Sequence, residues 1–121
     1  MTEPVHHVTT TRLDRGVLLV SLSGSLDAAT HRPVVSELDG VFEARPPGVV
    51  LDLSEVAFMG SVGIAMLVNS HHRAGRLRVP FAIVANSRAV LRPLEISQVL
   101  GTLPLHRSVD EALAALRLVS T

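Results

Sequence analysis

Hydrophobic residues along this chain recur at two periods in turn, near two and near 3.6, and Gly, Pro, Asp and Ser mark the changes. Such alternation suits one broad class, helices laid on a sheet whose strands run mostly parallel. Val5 to Leu13 and Val17 to Ser23 read as two strands joined by Asp14-Arg15-Gly16, a tight turn in which Gly takes positive φ. The loop Gly24-Ser25-Leu26-Asp27 runs into a helix capped by Asp27 or Thr30. Pro33 favours the later start, because proline is tolerated in a first turn. Val34, Leu38, Val41 and Phe42 form the apolar stripe of that helix, and Arg45-Pro46-Pro47-Gly48 ends it.

Val49 to Leu53 is almost wholly apolar, as expected of a central strand covered on both faces. Ser61 opens a second helical segment with Ile64, Leu67, Val68 and His71 on one face, which Ala74-Gly75-Arg76 can end. Pro80 to Ala85 follows as a further buried strand. Asn86 or Ser87 then caps a short helix through Leu91, limited by Pro93, and Glu95 to Leu105 reads as a turn plus a short edge strand. Ser108 and Glu111 are spaced as a capping box before a last stripe of Val109, Ala112, Leu113 and Leu116. The order predicts one α/β domain over residues 1–121, built on a mixed sheet of four to five strands. An N-terminal antiparallel hairpin leads, later strands are parallel through right-handed crossovers, and about four helices lie mostly on one face.

Composition removes several kinds of function. The chain has no Cys, so neither disulfides nor thiolate metal sites are possible. Its eleven basic residues, all Arg, balance eleven acidic ones, so no overall field draws it to nucleic acid. With three Phe as its aromatics, base stacking is a poor device for it. No apolar run approaches the roughly 18 residues of a membrane span. The start of the chain, Met1 to His7, lacks the cationic and long apolar regions of a secretory signal, so a cytoplasmic location is expected. The six His do not suggest a metal site: His71 and His72 point about 100° apart on a helix, and His6 and His7 alternate faces on a strand. No nucleophile elbow, phosphate-binding loop or dinucleotide fingerprint occurs, and neither catalysis nor a cofactor is expected.

The segment from Asp52 to Ile64 holds the most chemistry. Ser61 stands where a strand gives way to a helix, so its hydroxyl is placed to accept from the Ile64 N–H as an N-cap. Gly63, a poor helix former in the first turn, suggests that something approaches the backbone there, a partner surface among the candidates. A phosphate on Ser61 would add a charge of about −1.5 to −2 at a helix end that tolerates anions. The fold would stand, and a partner docked on an uncharged surface would be expelled. Phe58 and Met59, an apolar pair after a buried strand, read first as core and second as exposed anchors.

Asp52-Leu53-Ser54, the Phe58-Met59 pair and Gly60-Ser61-Val62-Gly63-Ile64 together resemble the signature of the STAS domain of bacterial anti-sigma factor antagonists. The Gly24-Ser25-Leu26-Asp27 loop, the strand at Pro80 to Ala85 and the Ser108 helix also fall where that family has them. Two positions depart: Gly60 stands where the family has an acidic residue, and Val62 where it has Ser or Thr. The resemblance implies a regulatory binding protein without an active site. It would bind an anti-sigma factor that is also a serine kinase of GHKL type, so releasing a sigma factor. Phosphorylation at Ser61 would end that association and a phosphatase would restore it. The partner surface it implies comprises Ser25, Asp27, Thr30, Met59, Gly60, Ser61, Val62 and Gly63, on a monomer or weak dimer with no direct contact to nucleic acid. A second reading stays open, in which the same helix end is a permanent assembly surface in a lipid-transport ATPase complex or stressosome-like scaffold. A weaker third is a small-molecule or nucleotide sensor using the helix end as an anion site.

Overall fold

The computed structural model describes residues 7–120, and their side chains from 8 to 116. Five strands lie in one sheet in chain order: β1 (His7–Arg12), β2 (Leu18–Leu26), β3 (Val49–Met59), β4 (Phe81–Val84) and β5 (Leu105–His106). β1 pairs antiparallel with β2, and every later pairing is parallel. The predicted start of the first strand, Val5 and His6, lies outside the described residues. The hairpin turn closes with the Leu13 N–H donating to the Val17 carbonyl at 2.7 Å. Gly16 sits at φ 82°, as its place in the turn requires, and Arg15 at φ 66° shares the left-handed conformation.

Between the parallel strands run α1 (His31–Glu43), α2 (Ser61–Leu77) and α3 (Arg88–Ile96), and α4 (Val109–Ser120) follows β5. Successive strand residues alternate between two apolar clusters. Val49, Leu51, Leu53 and Ile83 meet Leu38 and Phe42 of α1, Leu67 of α2 and Val90 and Leu94 of α3. Val50, Ala82 and Val84 meet Ala112 and Leu116 of α4 on the other face. Crossovers of one hand that always step to the next strand put their helices on one side, and α4, free of that constraint, covers the other.

Four element boundaries differ from the sequence expectation. β2 runs to Leu26, three residues past Ser23, so Gly24, Ser25 and Leu26 are paired strand and not loop. α2 ends not at Gly75 but at Leu77, with Arg78 left-handed at φ 59°. The Val79 N–H reaches the Ala74 carbonyl at 2.9 Å and the Arg78 N–H that of Gly75 at 3.2 Å, the paired bonds of a Schellman end. Pro93 lies inside α3 rather than limiting it. An interior proline costs about 3 kcal/mol; burying Val90 and Leu94, both fully enclosed, returns about 1.5–3 kcal/mol each. β3 runs to Met59, six residues past the expected end. The capping box of α4 forms in altered shape: Glu111 N–H donates to Ser108 Oγ at 3.1 Å, while the Glu111 carboxylate accepts from the Arg107 N–H instead of that of Ser108.

Candidate functional site

The extra length of β3 builds the site. β4 pairs with β3 only as far as Asp52, so residues 53–59 run on beside β2 alone, and the two strands project past the rest of the sheet. Two register shifts occur in this extension, Ser21–Ser23 facing Asp52–Glu55 and Gly24–Ser25 facing Val56–Phe58. Each gives β3 one residue more than β2, the count of a bulge, and each reverses the phase of the alternation. Inward positions therefore fall at Leu53, Val56 and Met59, three apart. Phe58 is turned outward and is 52 % exposed, against the expectation that it packs in the core.

At the tip, the Gly60 N–H donates to the Leu26 carbonyl at 2.9 Å, one more rung between β2 and β3, and Ser61 is already helical. With no loop between strand and helix, Gly60, extended at φ −89° and ψ −178°, takes the N-cap position expected of Ser61. The Ile64 N–H bonds to the Gly60 carbonyl at 3.2 Å. Ser61 is exposed at the first helical position, and no side-chain hydrogen bond caps this end. Its hydroxyl faces outward beside first-turn N–H groups that have no partner within the helix.

The neighbouring loop is rigidly tied. Asp27 Oδ1 accepts from the Ala29 N–H at 2.9 Å, and the Asp27 carbonyl accepts from the N–H groups of Thr30 and His31. Thr30 holds the N-cap position of α1, yet its hydroxyl turns back, donating to the Ser25 carbonyl at 2.6 Å and accepting from the Asp27 N–H at 3.0 Å. A β-carbon at residue 60 would sit 3.5 Å from Phe58 Cε2 and 3.6 Å from Asp27 Cβ. Asp27, Phe58, Gly60 and Ser61 thus form one continuous surface, with half-buried Ser25 paired to Phe58 across the strands.

The other expected surface residues lie lower. Met59 and Thr30, each 4 % exposed, are interior and support this surface from beneath. Val62 is half-buried and faces a groove between α1 and α2. Gly63 is buried, and its missing side chain makes room for the core: a β-carbon there would lie 3.1 Å from both Leu26 Cγ and Met59 Cγ. The close approach inferred from sequence is therefore internal. Sequence reasoning thus set Thr30, Met59 and Gly63 too far out and missed Phe58; the polar Ser54-Glu55 interruption was the available sign that β3 continues irregularly.

Among the described residues no three His, Asp or Glu come together as a metal site would need. The His6–His7 pair lies outside the described side chains. No described helix is long and apolar enough to cross a membrane. Chemically, the surface offers a free hydroxyl, a helix end with open N–H groups, one carboxylate and one exposed aromatic ring.

Known proteins share this fold. The STAS domain family matches residues 9–112. The anti-sigma-F factor antagonist RsfB of Mycobacterium tuberculosis is 30 % identical over 102 residues, 84 % of this chain and 83 % of that protein. The anti-sigma F factor antagonist of Paenibacillus polymyxa is 30 % identical over 107 residues, 88 % and 92 % of the two chains. The crystal structure of an anti-sigma factor antagonist from Mycobacterium paratuberculosis superposes with a TM-score of 0.88 at 32 % identity, covering 96 % of this chain and 97 % of that one. Sequence and architecture agree over nearly the full length, and the chain belongs to the STAS domain family.

Proposed function

We propose that this chain is an anti-sigma factor antagonist, acting in the cytoplasm, that docks an anti-sigma factor on the Asp27–Phe58–Gly60–Ser61 surface and so frees a sigma factor. The observation that carries the reading is the exposed Ser61 hydroxyl at the open end of α2. The names of the relatives at 30 % identity and above support the class of partner. The anti-sigma factor is a serine kinase of GHKL type that phosphorylates Ser61 and ends the association, and a separate phosphatase restores it. A phosphate there meets the positive end of the helix, so the fold is unaffected. Gly60 leaves Asp27 as the carboxylate on this surface.

Incubation with ATP and the GHKL-type kinase that captures the protein should place one phosphate on Ser61 by mass spectrometry, and none on Ser61→Ala. Phosphate on another residue, or a capturing kinase that leaves the protein unmodified, would refute the switch. Phe58 supplies the apolar anchor. Phe58→Ala should weaken the association roughly tenfold or more, as truncated aromatic anchors do, with the unfolding midpoint unchanged because the ring is half exposed. Calorimetric titration against the anti-sigma factor measures this.

A further inference from the structure

Beside the Ser61 surface, α1 and α2 do not close fully against each other. They leave a groove of about 340 Å³, at the lower end of small-molecule sites. Val35, Leu38, Phe42 and Met66 give it an apolar lining. Ser70 also lines it, and is 7 % exposed. A helical serine ordinarily returns its hydrogen bond to the carbonyl four residues earlier. Ser70 makes neither that bond nor any other side-chain bond among the described residues, so a hydroxyl on a nine-tenths buried residue stands open to the groove. Ser87 Oγ, and not Ser70 Oγ, is the enclosed side-chain oxygen without a partner among the described residues, so the unpaired Ser70 hydroxyl is reached from the groove.

The charge at the groove's end is already spent. Arg73 pairs with Asp39, lies 3.9 Å from Glu43 and covers the Phe42 ring at 5.8 Å. A guanidinium shared by two carboxylates offers little to a phosphate or a free acid, which sets this groove apart from the helix-end anion site. A groove of about 340 Å³ has room for a small molecule rather than for several turns of a partner helix. His31, whose ring bonds to the Ala28 carbonyl, and exposed Asn69 also line the groove. Ser70 is its one buried, unpaired polar side chain, so the matching ligand has a slender apolar body, no charge and one group to bond there.

We infer that the α1–α2 groove is a binding site for a neutral amphipathic small molecule whose single polar group bonds to Ser70. The inference stands apart from the anti-sigma reading. The probe is N-phenyl-1-naphthylamine, an uncharged fluorophore with one N–H, titrated into the full-length protein. Its fluorescence should rise saturably and be reversed by 1-octanol. Backbone amide shifts in nitrogen-15 NMR spectra should move at Val35, Val62 and Ser70. Ala65 is exposed at the groove's mouth, so Ala65→Trp should weaken binding at least tenfold by filling it. Ser70→Ala should weaken it about five- to tenfold, the loss of one hydrogen bond. A non-saturating response, shifts confined to other elements, or affinity undiminished by Ala65→Trp would overturn the proposal. The NMR map on the unmodified chain decides the matter even where a variant folds poorly.

Discussion

Ser61→Asp and Ser61→Glu are each expected to weaken association with the anti-sigma factor at least a hundredfold, while thermal unfolding stays within a few degrees of the wild type. The two halves of the expectation rest on the same geometry. In the free protein the carboxylate stands in water at the first position of α2, where the helix end contributes about 0.3–1 kcal/mol in favour of a negative charge. In the proposed complex the same carboxylate is covered, one residue on from Gly60, whose own β-carbon would meet Asp27 and Phe58. Removing an unpaired charge from water costs several kcal/mol, and a hundredfold change in affinity needs about 2.8 kcal/mol. The cost falls wholly on the bound state. Ser61→Ala separates charge from shape: the hydroxyl caps nothing, so this variant should bind and melt as the wild type does. Equal affinity of the acidic variants, measured by titration calorimetry, would rule out repulsion as the means of release.

The legibility of this site in the sequence was uneven, and the reasons are physical. Hydrophobic patterning located the helices, each of which buries one stripe, and the central strands, which are buried on both faces and read as apolar runs. It failed where the backbone departs from regular pairing. Leu53, Val56 and Met59 face inward at a spacing of three because β3 carries two extra residues against β2, and no period-two reading recovers that. The same irregularity exposes Phe58, the aromatic that a composition-based reading assigns to the core. Ser61 was found for a partly mistaken reason. Its residue type suits an N-cap, yet β3 extends one rung into Gly60 and the cap position is taken before Ser61 is reached. What leaves the hydroxyl uncommitted to the cap is thus the length of a strand rather than any property of the serine.

Gly63 gives the second large expectation, and it separates two explanations that the sequence alone left standing. A glycine kept open for a docking partner could be replaced at no cost to the free protein. Alanine there would even stabilise α2 by up to about 1 kcal/mol through helix propensity. The structure instead places Leu26 and Met59, both buried, 3.1 Å from where a β-carbon would sit, tighter than side chains pack without moving. Overpacking of this kind costs about 1–3 kcal/mol for small insertions. Gly63→Val adds a branched side chain against the same two neighbours and should lose about 3 kcal/mol, roughly 10 °C in midpoint for a domain of this size. Gly40 supplies the comparison, since it also lies within a helix and a β-carbon there meets nothing within 4 Å. Gly40→Ala should raise stability by about 0.5–1 kcal/mol. Urea unfolding of both variants in the absence of any partner decides between the explanations. Equal gains from Gly63→Ala and Gly40→Ala would return Gly63 to the docking surface. A loss at residue 63 alone means that Gly63 acts from below, fixing the angle at which β3 turns into α2 and presents Ser61.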